Sequence, residues 1–208
     1  MVSGRQSQVV NLIRQLLLKR FESSVAAFEE TCIRIFTRLK KFLIDYQTVG
    51  NSRAIERLLN KQAGVIEYVE NYITGTIQSS VDDLEDELPD YIWDTEENLN
   101  ESDFDIRAML DDTILDMEVL AEFIEDMMGI DPENDDKIRE LKRILTEDPR
   151  VKGKKVIIFS EYRATAKYIF RELTKDGFMD MFEIDGMTKG NRHEMIQRFA
   201  PYYNDTCS

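Results

Sequence analysis

The chain has 208 residues, 42% of them hydrophobic and 33% charged, with a net charge of −14. That is length for one or two domains, with enough apolar content for a core. It contains no run of about 18 apolar residues and no signal-peptide pattern, which argues against a membrane-spanning or secreted protein.

The charge is unevenly placed. Residues 1–50 carry eight Lys and Arg against four Asp and Glu, and residues 51–81 carry three of each. Residues 82–136 hold 23 acids against Arg107 alone, and residues 137–208 hold 15 bases against 11 acids. Two mildly basic ends therefore flank an acidic middle, so a basic end can bind nucleic acid locally although the whole chain is negative. The two cysteines, Cys32 and Cys207, show neither metal-ligand spacing nor a disulfide framework. A reducing compartment, the cytoplasm, is the expected location.

In chain order, residues 7–47 contain no Gly or Pro. Apolar residues recur there at Val10, Ile13, Leu17, Phe21, Val25, Phe28, Cys32, Ile35, Leu39, Phe42 and Tyr46. Steps of three and four predict one helix of about 40 residues, roughly 60 Å long, ended by Gly50 and Asn51. Ser52 is the expected cap of a second helix that puts Ile55, Leu58, Ile66 and Val69 on one face until Gly75 interrupts. An acidic segment runs to Pro89, and residues 90–103 read as loop. Phe104 to Met128 predicts a third long helix, with Met109, Leu110, Ile114, Met117, Leu120, Phe123, Ile124 and Met127 inward. Asp135 or Asp136 opens a short helix stopped by Pro149.

At Lys154 the period changes. "KVIIFS" is an unbroken apolar run of the kind found in strands buried on both faces. A helix from Tyr162 to Asp176 follows, ended by Gly177. "MFEID", residues 181–185, predicts a second strand, followed by a helix from about Asn191 to Phe199. Strand, helix, strand, helix is the order of a parallel α/β sheet, although two strands alone are marginal.

In such sheets ligands bind beyond the carboxyl ends of the strands, near helix N-termini. Those ends are Ser160-Glu161-Tyr162-Arg163 and Asp185-Gly186-Met187-Thr188-Lys189-Gly190-Asn191-Arg192. Two glycines and two basic residues in the second suit close approach of a phosphodiester, and Ser160 and Thr188 offer hydroxyl donors. A plainer account treats Ser160 and Thr188 as helix caps and Gly186 and Gly190 as turn residues. His193 reads as a surface helix residue. The acidic middle reads as a solvated face, since it contains no D-x-D-x-D-G loop for a metal.

Four stretches, in order, resemble one family. "DDKIRELKRIL" resembles the helix leading into the second RecA-like lobe of superfamily 2 helicases and translocases, in particular the bacterial Swi/Snf-type branch. "KKVIIFSEYRATAKYI" resembles that lobe's motif IV strand and following helix. "EIDGMTKGNRHEMIQRF" resembles the next strand, its Asp-Gly turn and the helix carrying an Arg soon after. "LLLKRFESSVAAFEET" resembles the helix that closes the first lobe. The resemblance covers about residues 16–35 and 134–201.

The resemblance implies a mainly α protein with a C-terminal α/β portion: a long helical bundle or hairpin at 1–133, then a partial RecA-like parallel sheet at 134–208. It implies a portion of an ATP-dependent DNA helicase or translocase, in which Ser160, Glu161, Tyr162, Gly186, Thr188 and Arg192 contact the nucleic-acid backbone. Lys189 joins them on charge and position alone. ATP and magnesium belong to the parent motor. This chain has neither the G-x-x-x-x-G-K-[ST] loop nor the acidic magnesium motif, and "EDELPD" at 85–90 resembles the latter only superficially. No catalytic or metal residue is therefore expected here. The expected partners are DNA, the rest of the helicase chain and a second copy of this chain. A rival expectation is an acidic helical interaction module that docks a basic partner or mimics DNA charge.

Overall fold

The structure, a computed structural model, describes residues 4–77, 104–186, 188 and 192–200. Its elements are α1 (Gly4–Ser23), α2 (Val25–Asp45), α3 (Ser52–Lys61), α4 (Ala63–Ile77), α5 (Ile106–Met128), a 3-10 turn (Pro132–Asn134), α6 (Asp136–Glu147), α7 (Arg163–Lys175) and α8 (Arg192–Phe199). No described helix is long and apolar enough to cross a membrane. The segments expected as acidic run and loop, 82–103, lie outside the described residues, as do Lys189, Gly190 and Cys207.

The chain divides into two compact units: unit 1, Met1–Glu30 with Ile130–Ser208, and unit 2, Thr31–Gly129. The expected single long N-terminal helix is broken at Ser24. The Ser24 hydroxyl accepts a hydrogen bond from the Ala27 N–H at 3.1 Å, as an N-cap does. Backbone bonds from Ser24 N to Arg20 O and from Phe28 N to Ser24 O bridge the break.

In unit 2, buried side chains of α5 recur at Ile106, Leu110, Thr113, Met117, Leu120, Ala121, Ile124 and Met127. Their steps of three and four define one helix face. Ile55 and Leu58 of α3, Val65 and Val69 of α4, and Cys32, Ile33, Phe36 and Leu43 of α2 complete the core of this unit. Asn51, rather than the expected Ser52, caps α3, its side chain accepting from Ala54 N. The Ser52 hydroxyl instead donates to Gln47 O at 2.8 Å. Gly75, expected as an interruption, lies inside α4. Gly50 lets the backbone pass the core closely, because a Cβ there would lie 2.6 Å from Leu110 Cδ1. Ion pairs Lys40–Glu70 and Lys61–Glu118, at 2.6 and 2.8 Å, tie α2 to α4 and α3 to α5.

In unit 1, Asp135 serves two elements. Its Oδ1 accepts from the N–H groups of Lys137 and Ile138 at 2.9 and 3.2 Å, capping α6. Its Oδ2 accepts from the Tyr168 hydroxyl of α7 at 3.0 Å. The Thr165 hydroxyl of α7 lies 2.8 and 2.7 Å from those of Ser23 and Ser24. The Arg20 guanidinium stacks over the Tyr162 ring, 4.9 Å from its centroid. α7 ends at a left-handed Gly177 (φ 82°), with Phe178 N bonded to Leu173 O, the closing pattern of a Schellman turn.

The expected C-terminal α/β portion, a partial RecA-like parallel sheet, is corrected by the structure. Among the described residues there is no strand and no sheet. Residues 155–160 and 181–185, expected as strands, are irregular. The expected burial is absent as well, since Ile157 is 56% and Phe159 89% exposed. The physical reason is partnership. A strand is stabilised by ladder hydrogen bonds to a neighbour and by cover on its faces, and two short segments provide too little of either. Apolar run length recorded a preference for a sheet interior, not the presence of one.

Candidate nucleic-acid backbone site

The two polar segments that follow the apolar runs meet at Asp185. Arg163, the first residue of α7, pairs through Nε with Asp185 Oδ2, and both side chains are largely buried. Thr188 donates to Asp185 Oδ1 at 2.6 Å, and the Asp185 N–H donates to Thr188 Oγ1 at 3.0 Å. This reciprocal pair is the local turn chemistry that Asp and Thr side chains supply. Arg192, at the start of α8, reaches back through one terminal nitrogen to the carbonyls of Asp185 and Gly186, the latter at 2.8 Å. The Asp185 carboxylate thus lies against one guanidinium and a hydroxyl, while its backbone carbonyl takes the second guanidinium.

The first segment is organised more locally. The Ser160 hydroxyl accepts from the Tyr162 N–H at 3.1 Å and donates to the Tyr162 carbonyl at 3.0 Å. Tyr162 precedes α7 without a side-chain capping bond, and its ring is buried beneath Arg20. Ser160, Glu161 and Gly186 are exposed, while Thr188 and Arg192 are half-buried. Arg192 Nε is buried with no hydrogen-bond partner among the described residues. His193 is exposed, with Nε2 2.8 Å from Gln197 Nε2.

The structure therefore brings Gly186, Thr188 and Arg192 together and holds Ser160 with Tyr162. Arg163 and Asp185 are the residues that sequence reasoning passed over as contributors. Their signal was present only as one cation and one anion in the two polar turns; nothing local shows that residues 22 apart in sequence will pair. Lys155 was likewise unforeseen. Its Nζ donates to the carbonyls of Arg198 and Phe199 at 2.9 and 2.6 Å, placing a cation on the C-terminus of α8 where the helix dipole favours it.

Two other groups of α7 are fixed by their partners. Burial alone would raise the Glu172 carboxyl. Hydrogen bonds from Lys175 and Arg171 outweigh it and hold the group below the usual glutamate range. Burial, reinforced by the Asp135 carboxylate, pushes the Tyr168 hydroxyl well above its ordinary value, so it remains a donor at neutral pH. Among the described residues no group of three or more His, Cys, Asp or Glu is placed to hold a metal ion. Comparison with known proteins gives no match for this chain among family models, curated proteins or solved structures.

Proposed function

We propose that this chain is part of an ATP-dependent nucleic-acid translocase or helicase and contributes contacts to the backbone of one strand. The observation that carries this reading is the Arg163–Asp185 pair, which joins the start of α7 to the Asp185–Gly186 turn. Backbone contacts need cations, hydroxyls and accessible main chain in one place, and carry no base information. Arg163 and Arg192 are the cations, Ser160 and Thr188 the hydroxyls, and Gly186 the exposed main chain. Lys189 belongs to the same proposed contact on sequence grounds. ATP and magnesium act in the parent motor, where the chemistry of hydrolysis resides.

Titrating the chain into labelled single- and double-stranded DNA at low salt tests this. Binding should weaken with salt, and Arg192→Ala should reduce the slope by roughly 0.7 to 0.9 per lost phosphate contact, similarly for unrelated sequences. Absence of binding at low salt, or an unchanged slope, overturns the reading.

A second reading has its own observation. On α5 the exposed Leu115 and Val119 lie among Asp111, Asp112, Asp116 and Glu122. An apolar stripe with acidic flanks fits a basic amphipathic helix. In the same titration, a basic amphipathic peptide that binds while DNA does not would favour an interaction module.

A further inference from the structure

Val156, Ile157, Ile158 and Phe159 form a continuous apolar run in which every side chain is exposed, from 42% to 89%. Successive residues of an extended segment point to opposite sides. Exposure of all of them means that both sides are at least partly open, the Ile157–Phe159 side the more so. Their backbone groups make no hydrogen bond to another described residue. The segment is nonetheless held in place at both ends. Lys155 is bonded to the end of α8, and Ser160 is bonded to Tyr162 at the start of α7. β-branched and aromatic content, free main-chain groups and an open apolar face are the features that recruit another strand.

The flanking charges identify the occupant. Lys154 and Lys155 precede the run, and Ser160 and Glu161 follow it. We infer that the 154–161 segment is an interface between two copies of this chain, paired antiparallel about a two-fold axis between Ile157 and Ile158. In that register Val156 faces Phe159 of the second copy and Ile157 faces Ile158. Lys155 faces Ser160, and Lys154 faces Glu161, twice by symmetry. Opposite charges directly across a ladder stabilise it, and like charges destabilise it. A parallel pairing would set Lys154 against Lys154 and Glu161 against Glu161. Lys154 and Glu161 are both exposed and available for the contact. An isologous contact of this kind closes at two chains.

The inference stands apart from the proposed motor role, because it uses neither Arg163, Arg192 nor DNA. Light scattering and sedimentation across a concentration series, at physiological ionic strength, should show a monomer–dimer equilibrium. Dimerisation should be accompanied by a β contribution to the amide infrared band. Lys154→Glu should weaken the dimer by about tenfold or more, since both attractive pairs become repulsive. The double variant Lys154→Glu with Glu161→Lys should restore it. Ile157→Lys should abolish it while leaving the helical circular dichroism unchanged. A chain that stays monomeric throughout overturns the inference. So does a Lys154→Glu dimer of unchanged affinity, or a double variant no tighter than the single one. Loss of DNA binding in Arg192→Ala with the dimer intact would leave this interface standing and bear on the motor reading alone.

Discussion

Glu172 is a carboxylate almost wholly removed from water, and its two cations decide what that removal does. Arg171 Nε and Lys175 Nζ each donate to its Oε1 at 2.9 Å. The folded-state pKa lies below the unfolded one. The unfolded chain therefore binds the proton more readily, and the stability due to this group is present above the ordinary glutamate pKa and lost as pH falls through the folded value. Glu172→Gln keeps the shape and removes the charge. It should destabilise the chain by about 1 kcal/mol at neutral pH, with the difference disappearing as pH falls through the folded-state value. Urea unfolding of both proteins across that range measures it, and a constant difference between them would contradict the assignment. Asp116 of α5 has the opposite sign. Partial desolvation and the neighbouring Asp112 raise its pKa, so protonation favours its folded form, and that contribution fades as pH rises.

At the scale of elements, a glycine within a helix and one just beyond a helix end show how position sets the sign of a substitution. Gly177 ends α7 at φ 82°, a conformation that side chains disfavour. Gly177→Ala should cost about 1 kcal/mol. Gly75 lies in the exposed interior of α4 with open space around its Cβ position. Gly75→Ala should add roughly 0.5 to 1 kcal/mol by reducing the freedom of the unfolded chain. Shifts of equal sign in their urea midpoints would refute this contrast. The same local rules made much of the helical structure legible in the residues: the start of α6 at Asp135 or Asp136, the Gly177 end of α7 and the long periodic stretch that becomes α5. Where a reading failed, the deciding interaction was distant. Ser24 breaks the N-terminal helix at a hydroxyl contact with Thr165, 141 residues away. Met109 and Phe123, expected inward, are partly exposed while Thr113 is buried, because the packing of α5 selects a slightly rotated face. The apolar runs at 155–160 and 181–185 favour strands, but a strand exists only with its neighbours. In the candidate site, residue types and the Asp-Gly turn were legible. The Arg163–Asp185 pairing that brings its halves together was not.

For the molecule as a whole, the charge division follows the two units. Unit 2 carries 8 Lys and Arg against 23 Asp and Glu, a net −15, whereas unit 1 carries 19 against 18, a net +1. Self-repulsion on this scale opposes compaction and is screened by salt over a distance of about 10 Å at 0.1 M. The raised Asp116 carboxyl is a local sign of it, since a neighbouring acid helps push its pKa upward. Lys61 pairs with Glu118 and is raised by the more distant Glu122 and Glu125 as well, so a single cation is shared by several acids. Salt weakens that attraction too, but the acids outnumber the cations nearly three to one, and relief of repulsion should dominate. The thermal midpoint followed by helical circular dichroism should therefore rise by a few degrees between about 0.01 and 0.15 M salt. A flat or falling midpoint would mean that the acids are already neutralised by partners within the chain. Unit 1, nearly neutral and held by short-range pairs such as Lys142–Asp176 at 2.7 Å, provides the internal contrast. Amide exchange in α6 and α7 should respond far less to the same change of salt than exchange in α5. Equal responses would show that the repulsion is spread over the whole chain instead of residing in Thr31–Gly129.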